Sequence, residues 1–275
     1  MGTIADIVAT EQNAERFWIV VHRDGAPSLR LTVDQDVLLQ FRLKKGLEIS
    51  DDLLQHIVYA DEVKKAYQQA LYFLAHRMRS EHEVAAHLRK KGAPDSVIDE
   101  VLKKLRAERY VDDGAFAAAY VRTQKKTAAK GPRLIRAELE RLGVPARAIE
   151  QSLAAYPFNE QAAIARSLYE KAKKQRRPES FRAFQERVKQ HLFRKGFPNS
   201  VIAAVLADGG AHTEQEEREA LSVQAEKAHR RYAHHPRPLY EQKMRQALYR
   251  KGFSLDLIDE WLRGQGNGEN QKGGS

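Results

Sequence analysis

Two aspartates in a row, Asp112-Asp113, and two histidines in a row, His234-His235, come nearest in this chain to catalytic or metal-binding equipment. Neither reads that way. Asp112-Asp113 follows Arg109-Tyr-Val111 and precedes Gly114-Ala-Phe116, the setting of a helix start. A carboxylate there accepts hydrogen bonds from free backbone N–H groups and opposes the positive end of the helix dipole. His234-His235 lies beside Pro236 in a loop, where adjacent histidines are ordinarily solvated. His82 and His87 are five residues apart, which does not place both on one helix face. The chain has no cysteine, so disulfides and thiolate metal sites are excluded. Phosphate-cradling glycine loops, the serine elbow and the zinc-protease histidine pair are all missing from the sequence. The expectation is a protein that is not an enzyme and carries neither cofactor nor metal.

The chemistry with more substance is cationic. The formal charge is +10, and it is unevenly spread. Residues 1–60 hold six Lys/Arg against nine Asp/Glu, whereas residues 61–275 hold 41 bases against 28 acids. Such asymmetry suggests that the second segment meets a polyanion and the first does something else. The bases cluster where long helices are expected to end. These clusters are Arg77 and Arg79; Lys125, Lys126 and Lys130 with Arg133 and Arg136; Lys171, Lys173, Lys174, Arg176 and Arg177; and Arg230 with Arg231. Recurring at equivalent points of successive repeats, they would draw a basic stripe able to follow single- or double-stranded DNA or an acidic protein surface. A second set, Arg89, Lys90, Lys91, Arg194, Lys195, Arg250 and Lys251, occupies last helical turns, where cations complement the dipole, and is expected to serve stability. Tyr72, Phe116, Tyr120, Tyr169 and Phe181 lie at helical spacing among Ala and Leu and read as core.

Two kinds of region must position these groups. In the first sixty residues, Arg16-Phe-Trp-Ile-Val-Val-His-Arg23 and the alternating Leu29, Leu31 and Val33 flank Asp24-Gly25, a hairpin signal. Ile4–Thr10 could add a third strand. Asp34 reads as the N-cap of a short helix ending near Gly46, and a second short helix follows Ser50. From about residue 61 the pattern is helical and repeats around four glycines, in Leu88-Arg-Lys-Lys-Gly92, Leu139-Glu-Arg-Leu-Gly143, Leu192-Phe-Arg-Lys-Gly196 and Leu248-Tyr-Arg-Lys-Gly252. The glycines are 51, 53 and 56 residues apart. Six positions after them stand Ile98, Ile149, Ile202 and Ile258, and ten after them Leu102, Leu153, Leu206 and Leu262.

A glycine one residue past a helix closes its last turn in a left-handed conformation. Pro94, Pro145 and Pro198 then mark the next helix start. Ser80-Glu-His-Glu83 and Thr213-Glu-Gln-Glu216 have capping-box form. Pro132, Pro178 and Pro238 open middle helices. The expected fold is mainly α, an elongated tandem array of four three-helix repeats behind a small N-terminal β-hairpin-containing module. The boundaries are 1–60 for the module, 61–108, 109–157, 158–210 and 211–264 for the repeats, and 265–275 for a flexible tail. No run of eighteen apolar residues is present, and MGTIADIVATEQ lacks the form of a secretory signal, so a cytoplasmic, monomeric protein is expected.

The stretch Arg109-Tyr-Val-Asp-Asp-Gly-Ala-Phe-Ala117, with Tyr120-Val121, Gly131-Pro132, Ile135 and Glu138-Leu139 to Gly143, resembles the RecX family. Upstream, Ala70-Leu-Tyr-Phe-Leu74, Arg77 and Ser80 look like that family's opening helix and Arg-x-x-Ser turn. His87 and Ala85-Ala86 depart from it, standing where the family more often shows Glu-Leu. The resemblance is sharpest over residues 66–155 and implies a negative regulator of the RecA recombinase. Such a protein would lie along the RecA–DNA filament and lower its ATPase and strand-exchange activity in recombination and DNA repair. The alternatives on the residues alone are a helical-repeat DNA-binding protein acting without RecA, and an RNA-binding or scaffold repeat protein.

Overall fold

A computed structural model describes residues 1–11, 14–23, 25–210 and 213–269. Three strands open the chain, β1 (Gly2–Ala9), β2 (Arg16–Arg23) and β3 (Ala26–Asp34), followed by a short helix α1 (Gln35–Gln40) and a two-residue strand β4 (Glu48–Ile49). All pairings are antiparallel, in the order β3-β2-β1-β4. Arg23 pairs with Ala26 across the expected hairpin turn, of which Asp24 lies outside the described residues. Ile4, Ile19, Val21 and Val33 turn one face of the sheet onto Val37 and Ile57. Asp34 caps α1 as expected, accepting from the Asp36 amide at 3.1 Å.

A short helix after Ser50 and a separate, longer helix over Val63–Met78 were expected; the structure has one helix. Helix α2 runs unbroken from Asp51 to Leu74, capped by Ser50, because no glycine or proline interrupts it. It therefore belongs both to the sheet module and to the first helical group. Its buried Asp61 fixes the first association, accepting from Arg16 at 2.8 Å, from Lys65 at 2.9 Å and from the Asp34 amide at 2.8 Å. A carboxylate taken out of water needs that many partners to be tolerated.

The remaining helices complete groups of three. They are α3 (Glu81–Lys90) and α4 (Asp95–Ala107); α5 (Asp113–Ala128), α6 (Pro132–Arg141) and α7 (Ala146–Ala154); α8 (Phe158–Lys174), α9 (Phe181–Arg194) and α10 (Asn199–Asp208); and α11 (Glu214–Tyr232), α12 (Arg237–Arg250) and α13 (Leu255–Glu269). The repeat pattern is realised at every glycine. Gly92, Gly143, Gly196 and Gly252 all have φ between +72° and +90°. Each donates to the residue three before it, while the following residue donates back to the leucine, as in Ala93 to Leu88 and Phe253 to Leu248. This double closure satisfies carbonyls that the helix end would otherwise leave bare. Leu88, Leu139, Leu192 and Leu248 are all fully buried, and Ile98, Ile149, Ile202 and Ile258 nearly so.

Three sequence readings shift. Tyr72 is 74% exposed rather than core, because α2 turns that face to solvent. Pro178 does not open α9; Ser180 caps it and Pro178 stands in the loop before. Helix α13 extends to Glu269, into the glycine-rich stretch expected to be tail, while residues 270–275 lie outside the described residues. By contrast Phe116 and Tyr169 are buried as expected, and Tyr120 and Phe181 half-buried. The chain divides into two compact units, Met1–Ala119 with Leu139–Ile149, and Tyr120–Glu138 with Glu150–Ser275.

One contact recurs within these units. The Ser80 hydroxyl caps α3 and donates to Leu142 O at the end of α6, 2.6 Å away. The Gly131 amide, entering α6, donates to Lys195 O at the end of α9 at 2.7 Å. The Ser180 hydroxyl caps α9 and donates to Lys251 O at the end of α12 at 2.6 Å. The start of one middle helix is thus seated on the glycine-closed end of the next. The glycines permit it: a Cβ on Gly143, Gly196 or Gly252 would fall within 2.3–2.6 Å of His82, Leu134 or Ser180. Carboxylates from the neighbouring first helices complete two of the seats. Asp113 accepts from the Glu81 amide and Glu217 from the Phe181 amide, each at 2.9 Å.

Candidate polyanion-binding surface

The fourteen basic residues singled out by clustering separate into two groups once their surroundings are known. Six are engaged. Arg77 donates to Glu83 at 2.6 Å. Arg79 also reaches Glu83, lies 4.1 Å over the Phe73 ring, and keeps a buried Nε without a partner. Lys125 pairs with Glu160 at 2.8 Å and Lys130 with Glu138 at 2.5 Å. Arg136 pairs with Glu150. Arg176, 17% exposed, donates to Glu179 O at 2.9 Å and sits 3.9 Å from Glu217. These residues hold local structure, and their charges are already partly answered.

The other eight are exposed: Lys126, Arg133, Lys171, Lys173, Lys174, Arg177, Arg230 and Arg231. None makes an ion pair among the described residues. All eight belong to the second compact unit. Helix geometry explains where they stand. Lys171, Lys173 and Lys174 fill the last turn of α8, with Arg177 in the loop beyond, and Arg230 and Arg231 fill the last turn of α11. There the bare carbonyls favour cations without consuming them. Arg231 also lies 5.6 Å over the Tyr232 ring.

The electrostatic effect of this unit is felt by His191 on α9. Burial, followed by the charges of Lys195, Arg194 and Arg187, holds its pKa below the ordinary imidazole value. In the first unit His87, stacked on Phe73 at 4.0 Å, is lowered in the same way, with burial leading and Lys91, Arg79 and Lys90 following.

The enzyme-like pairs are accounted for structurally. Asp112 caps α5, accepting from the Ala115 amide at 2.9 Å, and Asp113 caps α3 through the Glu81 amide. Burial raises the pKa of Asp113 and of Glu81 beside it. The rings of His234 and His235 are 4.0 Å apart. Among the described residues no three His, Asp or Glu side chains converge as a metal ion would need, and no helix is long and apolar enough to cross a membrane.

Comparison with known proteins speaks to the whole chain. The models for the first and second three-helix domains of RecX match residues 66–105 and 112–153. The model for the third matches twice, over 159–206 and 215–262. Regulatory protein RecX of Geobacillus kaustophilus (strain HTA426) is 90% identical over 98% of this chain and 100% of its own length. That of Bacillus subtilis (strain 168) is 40% identical over 96% and 98%. Among solved structures, a crystal structure of regulatory protein RecX superposes with a TM-score of 0.63 at 33% identity, covering 74% of this chain and 98% of that one. Its counterpart from Lactobacillus salivarius gives 0.52 at 31% identity, over 54% and 97%. Matched from end to end in sequence and in its successive three-helix domains, the chain belongs to the RecX family, whose members are regulatory proteins and not enzymes.

Proposed function

We propose that this chain is a cytoplasmic negative regulator of the RecA recombinase, which it restrains by binding along the RecA–DNA filament. The exposed cations of the second unit meet backbone phosphates, while helix faces dock on recombinase subunits. Family membership supports RecA as the partner. The observation that carries the DNA half is the set of eight exposed cations without ion pairs among the described residues, in a protein of charge +10. Cations arranged this way neutralise phosphates and release counterions, which gives affinity without sequence preference. The four repeats divide at 61–108, 109–157, 158–210 and 211–264, a division into which each family-model match falls. The protein acts as a monomer.

The test is RecA's DNA-dependent ATPase titrated with this protein, beside binding to the same DNA without RecA. Inhibition at concentrations well below saturation of bare DNA is expected. Inhibition only once the DNA is already coated would favour the second reading, a helical-repeat DNA-binding protein that acts without RecA. No inhibition at all would refute the RecA assignment.

A further inference from the structure

The four glycine-closed helix ends share a slot three residues before the glycine, held by Arg89, Glu140, Phe193 and Tyr249 in turn. In the first two repeats the slot is charged, and Arg89 pairs with Asp95 at 2.7 Å. In the last two it is aromatic, and the rings are left 53% and 52% exposed. Packing does not account for them, because the buried leucine next to each, Leu192 or Leu248, already supplies that turn's core contact. Helix propensity does not either, since aromatic residues are poorer helix formers than the charged residues the slot accepts elsewhere. Single exposed apolar residues need no explanation, but two large rings at the same repeat position in adjacent repeats do.

The surroundings of both rings are cationic. Arg194 and Arg250 follow directly, both exposed and without an ion pair among the described residues; the Arg250 Nε reaches only Gln246 O of its own helix. One turn back on each helix stand Lys189 and Arg245. Arg245 is answered by Asp259 at 2.7 Å, and Lys189 lies 3.5 Å from Glu186. Each ring is therefore an exposed apolar face on the same helix end as an exposed arginine that has no ion pair among the described residues. That is the combination that takes an unpaired base by stacking while the cation meets the adjoining phosphate. A duplex hides its base faces in the stack, so it offers these rings nothing.

We infer that Phe193-Arg194 and Tyr249-Arg250 form two stacking platforms for unpaired bases of single-stranded DNA, on the middle helices of the third and fourth repeats. This rests on the reading of the chain as a filament and DNA binder, and assigns to binding two arginines that their position alone would assign to helix stability.

The experiment compares the full chain with its Phe193→Ala/Tyr249→Ala variant by fluorescence anisotropy. The probes are an oligothymidylate, an abasic oligomer of the same length, a duplex and an oligouridylate. The wild type should bind thymidylate about tenfold more tightly per stacked ring than the abasic oligomer. The variant should lose that difference while keeping its duplex affinity, its salt dependence and its helical circular dichroism. Phe193→Trp/Tyr249→Trp should retain the difference. Equal wild-type affinity for the thymidylate and abasic oligomers would overturn the platforms while leaving the electrostatic reading intact. Binding to neither would overturn both. A variant with unchanged thymidylate affinity but weakened RecA inhibition would overturn the platforms and give the rings to a protein surface. Preference for uridylate over thymidylate would overturn the assignment to DNA.

Discussion

Gly92 and Gly196 share one backbone conformation, φ of +88° and +86°, but have opposite surroundings, and this makes them a matched pair for testing the helix-to-helix seats. Alanine at either position must adopt a left-handed conformation, at a cost of about 1 kcal/mol. At Gly92 nothing lies within 4 Å of the added Cβ, so the cost should stop there. At Gly196 the same atom would fall 2.4 Å from Leu134 N and 2.5 Å from Leu134 Cβ. Relief requires the start of α6 and the end of α9 to part by roughly 1 Å, the gap to ordinary van der Waals contact. Gly131 N to Lys195 O and Arg133 N to Gly196 O, now 2.7 and 3.0 Å, would then leave hydrogen-bonding range. Losing each costs about 1 kcal/mol, more where the donor stays buried. Gly196→Ala should therefore destabilise by about 3–4 kcal/mol, against about 1 kcal/mol for Gly92→Ala. Because a chain with two compact units need not unfold in one step, amide hydrogen exchange at Gly131 is the sharper assay beside urea midpoints. Gly131 exchange should accelerate strongly in Gly196→Ala and stay unchanged in Gly92→Ala. Equal effects of the two substitutions on stability and on that amide would refute the seat.

Three further outcomes follow from the same geometry. Reversing charge at Lys173, Lys174 and Arg177 should weaken DNA and filament binding and lower the log–log salt slope by about one for each phosphate no longer neutralised. Arg176 is left out of that set because it is tied to Glu179 O and Glu217, so reversing it should cost stability instead; unchanged binding at matched salt would remove this cluster from the surface. Ile202→Asp, at a position 4% exposed, should cost about 4 kcal/mol or more, and retained helicity with an unchanged melting profile would contradict the core assignment. The folded state holds the pKa of His87 and His191 below the ordinary value of 6.5, so as pH falls through 6.5 the unfolded chain gains protons that the folded chain refuses. Stability should drop as pH falls below about 6.5, and melting temperatures of His87→Gln/His191→Gln should show a shallower drop; an identical slope would rule these histidines out.

The repeat was legible in the sequence because it rests on local rules. A left-handed helix end calls for glycine, and the leucine four residues before it and the isoleucine six after it turn inward by helical periodicity. The caps by Asp34, Ser80, Asp112 and Thr213 were legible for the same reason. What could not be read depends on partners distant in sequence. Ser180 and Lys251 are 71 residues apart, and nothing local announces that the hydroxyl capping one helix also binds another. Arg79 and Arg176 read as members of basic clusters, yet Phe73, Glu83, Glu179 and Glu217 engage them. The unbroken α2 escapes a reading that places a break near residue 60, where the strand-rich composition gives way to the helical repeat, although no glycine or proline enforces one. Tyr72 escapes a sequence reading because an aromatic at helical spacing does not say which face is covered.

The seat between successive middle helices is made of very little: a glycine closure on one side, and a hydroxyl or bare amide on the other. Each three-helix group that carries both halves brings its own plug and socket, so copying the stretch of gene that encodes it would supply a working connection at once. The second match of the third-domain model is what such copying would leave behind. The fourth group differs in this respect. Helix α12 begins after Pro236, which has neither a hydroxyl nor an amide hydrogen to donate. Pro236 thus lacks the hydrogen-bond donor that Ser80, Gly131 and Ser180 bring to their seats.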